Sequence, residues 1–378
     1  MSTPDIETIV TVGHDSVIDE LEEAIASKEI GRRADTLRRV TDLFVSGCAG
    51  FSGEQIALFD HVMGLLAREI ESAARARFGH RMATIANAPR RIMRALALDD
   101  AIEVAGPVLT RSAALDEATV LEGARTKSQD HLLAISRRET LGEVVTDVLV
   151  ERGDQRVAHS TAENPGARFS EFGYSTLVER SGQDPELALR VLSRPDVPRQ
   201  HLLKVFADAS ETVRCKLEAA DRGKANLLRD MVARASEEIL TEVRKRSTEH
   251  AAARALVRGL DEAGKITAAQ LKAFAADGKF DETAIALSMM SGLSVGLIER
   301  LLTQDRSEPI MIVAKAIGLS WSVTSQLLLL QAGSRVSSTD EIEQSQAKFD
   351  KLRTQTAKMA VQFHRLRERT TVSASGLN

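Results

Sequence analysis

The sequence predicts an all-α protein, built as an α-solenoid of HEAT-like helical hairpins with flanking long helices. Of its 378 residues, 43% are hydrophobic but only 3% are aromatic, and there are only eight prolines. β-Sandwiches and barrels depend on aromatic and β-branched residues, so this composition favours helices. Similar segments also recur at steps of 30, 24 and 30 residues. Helical hairpins of that length bury their apolar faces by stacking on one another.

Residues 1–88 are predicted to form an N-terminal helical region, of which we expect roughly the first 15 residues to be flexible. A helix after residue 51 is indicated by a capping box from Ser52 to Gln55. The apolar residues that follow lie on one face at helical spacing: Ile56, Phe59, Met63, Leu66 and Ile70. Pro89 marks the end of this region.

Residues 89–221 are predicted to form a HEAT-like repeat array. Each unit opens with an aspartate that we expect to cap a helix, because its carboxylate accepts from free backbone N–H groups. These aspartates are Asp100, Asp130, Asp154 and Asp184. A polar break is expected in each unit, near Arg111, Arg138, Asn164 and Arg194. Stacked in this way, the units form one continuous core.

Residues 222–335 are predicted to form a second helical region with repeats of about 26 residues. It begins with one or two long amphipathic helices between Arg222 and Gly264. Their expected apolar face comprises Leu228, Met231, Val232, Ala235, Ile239 and Val243. Downstream, Gly292-Leu293-Ser294 recurs as Gly318-Leu319-Ser320, which predicts a glycine that ends one helix and a serine that caps the next. Thr267 and Gln270 form a further capping box.

Residues 336–378 are predicted to form an amphipathic heptad helix followed by a disordered tail, with a capping box from Ser338 to Glu341. The apolar heptad positions are Ile342, Phe349, Leu352, Met359, Phe363 and Leu366. This spacing is typical of a helix that either pairs with a second copy to form a homodimer or docks on its own chain. The sequence leaves both alternatives open.

Several segments together resemble a bacterial family classed only as a domain of unknown function, with HEAT-like repeats related to leucine-rich-variant repeats. They include "LFDHVMGLLAREI", "DDAIEVAGPVLTRS" and "DPELALRVLSRPDVPRQHLL", and the most specific is the run "VTDVLVERGD…V…AENPGARFSE". The similarity extends over about residues 40 to 330. It implies a helical-repeat fold and supplies no catalytic residues.

The sequence contains no constellation that indicates an enzyme. HExxH, CxxC, GxxxxGK[ST] and GxGxxG patterns are absent, and the eight histidines are scattered, so we expect no metal and no cofactor. Ser136, Asp147 and His159 resemble parts of a hydrolase site but are expected on different helices. Gly292-Leu293-Ser294-Val295-Gly296 matches a nucleophile elbow without the preceding strand, which favours helix capping. An unrecognised hydrolase is therefore the third of three functional hypotheses.

Charge and composition favour a protein partner. The net charge of −4 disfavours nucleic acid and an anionic membrane surface. Arginine clusters supply the expected interaction residues: Arg90, Arg91, Arg94, Arg137 and Arg138. Our first hypothesis is a non-enzymatic cytoplasmic scaffold or regulatory adaptor that binds its partner through a solenoid groove. The alternative is a nucleic-acid- or nucleotide-binding solenoid, similar to HEAT-like DNA glycosylases, that uses these arginines. No signal peptide or membrane span is predicted.

Overall fold

The computed structural model describes residues 30–47, 50–68, 70–220, 225–304, 306–333 and 339–375. Within these ranges the chain forms 21 α-helices and no strand; an isolated bridge joins Leu141 and Ala167. The predicted all-α class is confirmed. The chain divides into two compact units, residues 1–173 and 174–378, which are described separately. None of the helices described is long and apolar enough to cross a membrane.

The first unit consists of short helices in two rows. These are α1 (Ile30–Gly47), α2 (Gly53–Ala67), α3 (Ser72–Met82), α4 (Arg90–Ala97), α5 (Ile102–Arg111), α6 (Glu117–Thr126), α7 (Gln129–Ser136), α8 (Glu143–Arg152) and α9 (Gln155–Glu163). Each helix from α2 to α7 packs against the helix two places further along the chain. The even-numbered and odd-numbered helices therefore form separate rows, as stacked hairpins require. The HEAT-like solenoid itself stays a prediction.

Two of the four predicted aspartate caps are confirmed and two are wrong. Asp154 accepts from the Val157 N–H, and Asp184 accepts from two N–H groups with Pro185 at the first helical position. Asp100 does not cap α5, because that helix begins after Ala101 and the Asp100 carboxylate pairs with Lys127 instead. Asp130 lies within the first turn of α7, whose N-cap is Ser128.

The predicted polar breaks are confirmed, because helices end at Arg111, Ser136, Glu163 and Leu192. Side chains of one break bond to backbone carbonyls of the preceding break. Arg138 donates to the Ser112 carbonyl at 2.9 Å. Asn164 in turn donates to the carbonyls of Ser136 at 2.8 Å and Arg138 at 2.7 Å. These bonds satisfy carbonyls that the helix ends leave without an intrahelical partner.

The second unit begins within α10 (Glu171–Ser181), which spans the boundary. It continues with α11 (Pro185–Leu192), α12 (Arg199–Ala220), α13 (Ala225–Arg246), α14 (Thr248–Glu262), α15 (Ala268–Ala276), α16 (Phe280–Ser291), α17 (Val295–Thr303), α18 (Glu308–Ala316), α19 (Trp321–Ala332), α20 (Thr339–Lys351) and α21 (Thr354–Ser375). Helix α16 lies at the centre of its core and is buried on most sides. The two long helices expected between the arrays correspond to α13 and α14.

The caps predicted for the second array are largely confirmed. Gly292 ends α16 with φ 63°, in the left-handed region that favours glycine, and Ser294 accepts from the Leu297 N–H at the start of α17. Gly318 likewise has φ 80°, and Ser320 precedes α19, although its side chain makes no cap hydrogen bond. The capping box at Ser52 is confirmed, and Thr267 is an N-cap whose side chain accepts from the Gln270 N–H. The box at Ser338 lies outside the described residues.

Candidate functional site

A buried cluster of charged side chains lies in the core of the second unit. Arg199, the first residue of α12, extends its guanidinium between two carboxylates from different helices. Its Nη2 lies 2.6 Å from Oε1 of Glu299, and its Nη1 donates to Oδ1 of Asp281. All three side chains are at least nine-tenths buried. Charged groups are tolerated in such an interior only when they are paired.

Two further side chains complete the cluster. His250 Nδ1 lies 3.2 Å from Asp281 Oδ1 and 3.3 Å from Arg199 Nη1. The hydroxyl of Ser247, the N-cap of α14, accepts from the His250 N–H and so positions this histidine in the first turn. Arg244 of α13 donates to Glu299 Oε2 at 2.7 Å. Two guanidinium groups therefore balance two carboxylates, and the side chains come from five helices.

The pKa of Asp281 reflects these neighbours. Burial alone would raise the pKa of this carboxyl, because a charged group loses solvation in the core. The hydrogen bond with His250 and the charge of Arg199 outweigh burial, so the pKa of Asp281 lies below its usual value. The ionised form of Asp281 is therefore the stable one in the folded protein.

Three members of the cluster resemble a metal-ligand set. His250, Asp281 and Glu299 each offer one ligand atom, and these atoms lie within 4.8 Å of one another. The Arg199 guanidinium, however, already bonds both carboxylates. A divalent cation would have to displace that guanidinium and place its positive charge nearby. The geometry therefore describes an ion-pair network that joins helices, and we assign it no metal.

Sequence reasoning missed this cluster. Arg199 pairs with residues that lie 82 and 100 positions further along the chain. No short spacing or motif marks such a pairing. The weak signal in the sequence is that Asp281 and Glu299 lie in two mostly apolar helices, where an unpaired carboxylate is costly.

The hydrolase-like residues of the first unit make other contacts. Ser136 donates to the Leu133 carbonyl at 2.8 Å and bonds Ser160 at 2.7 Å. Asp147 accepts from the Ser170 hydroxyl at 2.7 Å, and burial raises the pKa of the Asp147 carboxyl. The Ser136–Ser160 and Asp147–Ser170 bonds each join two different segments of the first unit. They do not couple Ser136 to Asp147, as a catalytic triad through His159 would require.

The predicted arginine residues differ in their surroundings. Arg94 pairs with Glu122 and donates to the Thr119 hydroxyl at 3.2 Å. Arg138 is half-buried and donates to backbone carbonyls, so its guanidinium stabilises a break between helices. Arg90, Arg91 and Arg137 are exposed. Binding of a partner by these residues stays a prediction.

The predicted heptad segment is divided into α20 and α21, with a break at Leu352 and Arg353. In α20 the heptad residues face the chain's own core. Phe349 is buried against Trp321, with ring centroids 5.6 Å apart, and Lys315 Nζ lies 4.3 Å from the Phe349 ring centroid. Ile342 and Leu352 are half-buried. This half of the segment therefore docks on its own chain.

Helix α21 is oriented differently. It packs against α18, with Ala357 and Val361 buried. Arg365 donates from Nε to the Ser291 carbonyl at 2.8 Å, which ties α21 to the end of α16. The heptad residues of α21 face outward, so the exposed fraction is 54% for Met359, 65% for Phe363 and 62% for Leu366. We call these three residues the outer stripe of α21.

The molecule is thus an all-α protein with a buried ion-pair network and an exposed apolar helix face. The sequence model of a family described as "Uncharacterised protein conserved in bacteria (DUF2336)" matches residues 104–362. The chain belongs to this family, which confirms the resemblance seen in the sequence. No curated protein and no solved structure matches it.

Proposed function

We propose that this protein is a non-enzymatic scaffold or regulatory adaptor that binds a helix of a partner protein through the outer stripe of α21. One observation carries the proposal: three large apolar side chains lie exposed on a helix whose opposite face is anchored to the chain. Clustered apolar side chains exposed on a surface mark interaction sites. Spacings of four and three residues suit the apolar face of a second helix.

The charge of α21 specifies the partner. Its sequence contains Lys358, Arg365, Arg367 and Arg369 but only one acidic residue, Glu368. A second copy of α21 would bring like charges together, whereas an acidic amphipathic helix would complement them. We therefore propose an acidic helical partner. A cytoplasmic location is part of this proposal, because the two cysteines, Cys48 and Cys215, are too few for a disulfide framework.

Affinity capture with matched variants tests the proposal. The tagged full-length chain is compared with Met359→Glu/Phe363→Glu and with Leu189→Glu, a control at an exposed leucine on α11. We expect one protein to be captured by the wild type and the control, and about tenfold less of it by the double variant, because two buried carboxylates would oppose an acidic partner. Circular dichroism checks that all three proteins are folded.

Two results would contradict this function. Equal capture by the double variant would show that the outer stripe is not the contact. Alternatively, co-sedimentation of the wild type with phosphatidylserine vesicles, lost in the double variant, would assign the basic amphipathic helix to a membrane surface instead.

A further inference from the structure

A second exposed apolar face lies on α13, and it differs from the face that the sequence predicted. Met231 and Ile239 were expected to share a packed face with Val232 and Val243. In the structure the exposed fraction is 58% for Met231 and 49% for Ile239. The side of α13 that packs inward carries Leu240, which is buried, with Val232 and Val243 half-buried. The apolar arc of α13 is therefore wider than its own chain covers.

The exposed residues form a continuous ridge. Leu227, Met231, Ala235 and Ile239 are all exposed and follow one another at intervals of four residues. Side chains four residues apart lie one above the other on a helix, and such ridges are the surfaces by which helices most often interlock. Ala235 lies in the middle of the ridge, where its small side chain lets another backbone approach closely. We call these four residues the α13 ridge.

The charges beside the ridge identify what covers it. Arg234 and Glu238 are exposed, lie on the same flank, and precede and follow Ala235 along the chain. In an antiparallel pair of α13 helices the same flank of each copy lies beside that of the other, and with the centre next to Ala235, at Ser236, Arg234 of each copy faces Glu238 of the other. In a parallel pair the charged flanks of the two copies would lie on opposite sides of the contact, so these charges would not meet. The ridge is thus complementary to itself in one orientation only, unlike the basic α21.

We infer that two copies of this chain associate through antiparallel α13 ridges, with Met231 of one copy packed against Ile239 of the other. The interface is isologous, so each contact occurs twice. It is separate from the outer stripe of α21, which remains available to another protein.

Charge reversal tests this pairing directly by sedimentation velocity on the full-length chain. For the wild type at micromolar concentration, we expect the mass obtained from sedimentation to be twice that of one chain. Arg234→Glu and Glu238→Arg each raise the dimer dissociation constant by about tenfold or more, because each places like charges opposite one another. The double reversal Arg234→Glu/Glu238→Arg restores the pair of opposite charges and the dimer. Met231→Glu abolishes the dimer by placing a carboxylate in the apolar contact.

A control separates this inference from the proposed function. Phe363→Glu on α21 should leave the mass unchanged. A wild type that is monomeric at tens of micromolar chain, or a double reversal that fails to dimerise while its circular dichroism is that of the wild type, would overturn the inference. A dimer lost in Phe363→Glu but retained in Met231→Glu would assign the second copy to α21.

Discussion

The two units of the chain use buried polar side chains in different ways. In the first unit, Arg138 and Asn164 donate to backbone carbonyls of the preceding break, over 26 to 28 residues. In the second unit, Arg199 bonds carboxylates 82 and 100 residues away. The side-chain-to-carbonyl bonds of the first unit recur from break to break, and each break needs only one suitable side chain. The ion network of the second unit requires several charged side chains from distant parts of the chain. The loss of one charge therefore leaves others buried and unpaired.

Removal of Arg199 therefore has the largest expected effect. Arg199→Met leaves Asp281 and Glu299 without their shared cation, and we expect a loss of about 3–5 kcal/mol in the free energy of unfolding. Urea unfolding followed by circular dichroism measures this loss. The double variant Arg199→Met/Asp281→Asn should recover at least ~1 kcal/mol of it, since one uncompensated charge is removed. A loss below about 1 kcal/mol for the single variant would show that the network is not buried as described.

The side-chain-to-carbonyl bonds of the first unit should contribute less to stability. Asn164→Ala removes the bonds to the Ser136 and Arg138 carbonyls, and we expect a loss of about 1–3 kcal/mol. Thr140→Ala, at an exposed position of an adjacent break, is the control and should change stability by no more than ~0.5 kcal/mol. If the two variants unfold at the same urea concentration, the carbonyl bonds do not stabilise the first unit.

The anchor of α21 is tested by a pair of glycines. Gly292 and Gly278 both have positive φ, so alanine at either position costs about 1–2 kcal/mol in backbone strain. A Cβ at Gly292 would also lie 3.1 Å from the Arg365 guanidinium, whereas a Cβ at Gly278 would meet nothing within 4 Å. We expect Gly292→Ala to lose about 1 kcal/mol more than Gly278→Ala in urea unfolding. Equal losses would contradict this prediction and would show that the Arg365 guanidinium makes room for the methyl group without losing its bond to the Ser291 carbonyl.

The smallest expected changes in unfolding free energy come from acidification, and they have opposite signs for Asp281 in the second unit and Asp147 in the first. The pKa of Asp281 is lowered, since its hydrogen bond with His250 and the charge of Arg199 outweigh burial, which alone would raise it. Its contribution to stability is complete above the unfolded value of 3.8 and is lost as the pH falls through the folded pKa. Burial raises the pKa of Asp147, so protonation there favours the folded state as the pH falls toward 3.8.

Unfolding free energies measured from pH 7 down to about pH 3 separate these contributions. Asp281→Asn should flatten the loss of stability on acidification, whereas Asp147→Asn should make that loss steeper. The same change of slope in both variants would contradict the assigned environments.

The sequence predicted the features that depend on neighbouring residues. The helical class, the breaks, the caps at Asp154 and Asp184 and the left-handed Gly292 all follow from spacing and local backbone chemistry. Asp100 and Asp130 were assigned wrongly because other nearby groups compete for the same helix start. Asp99 accepts from the Ala101 N–H, and Ser128 precedes α7.

The candidate sites could not be predicted from local sequence patterns. The ion network joins helices whose pairing no spacing encodes. The heptad of residues 342–366 is regular, yet its residues face inward in α20 and outward in α21, because the helix breaks at Leu352 and Arg353. Which apolar face is covered depends on tertiary packing and not on periodicity alone.

The claim that the outer stripe of α21 binds a partner is tested most directly by photo-crosslinking in cells. A photoreactive phenylalanine analogue is placed, one position at a time, at Met359, Phe363 and Leu366, and at the exposed control positions Leu189 and Leu256 on other helices. The account predicts one heavier crosslinked species from the three stripe positions and little from the other two. Equal crosslinking at all five positions, or none at the stripe, would contradict it.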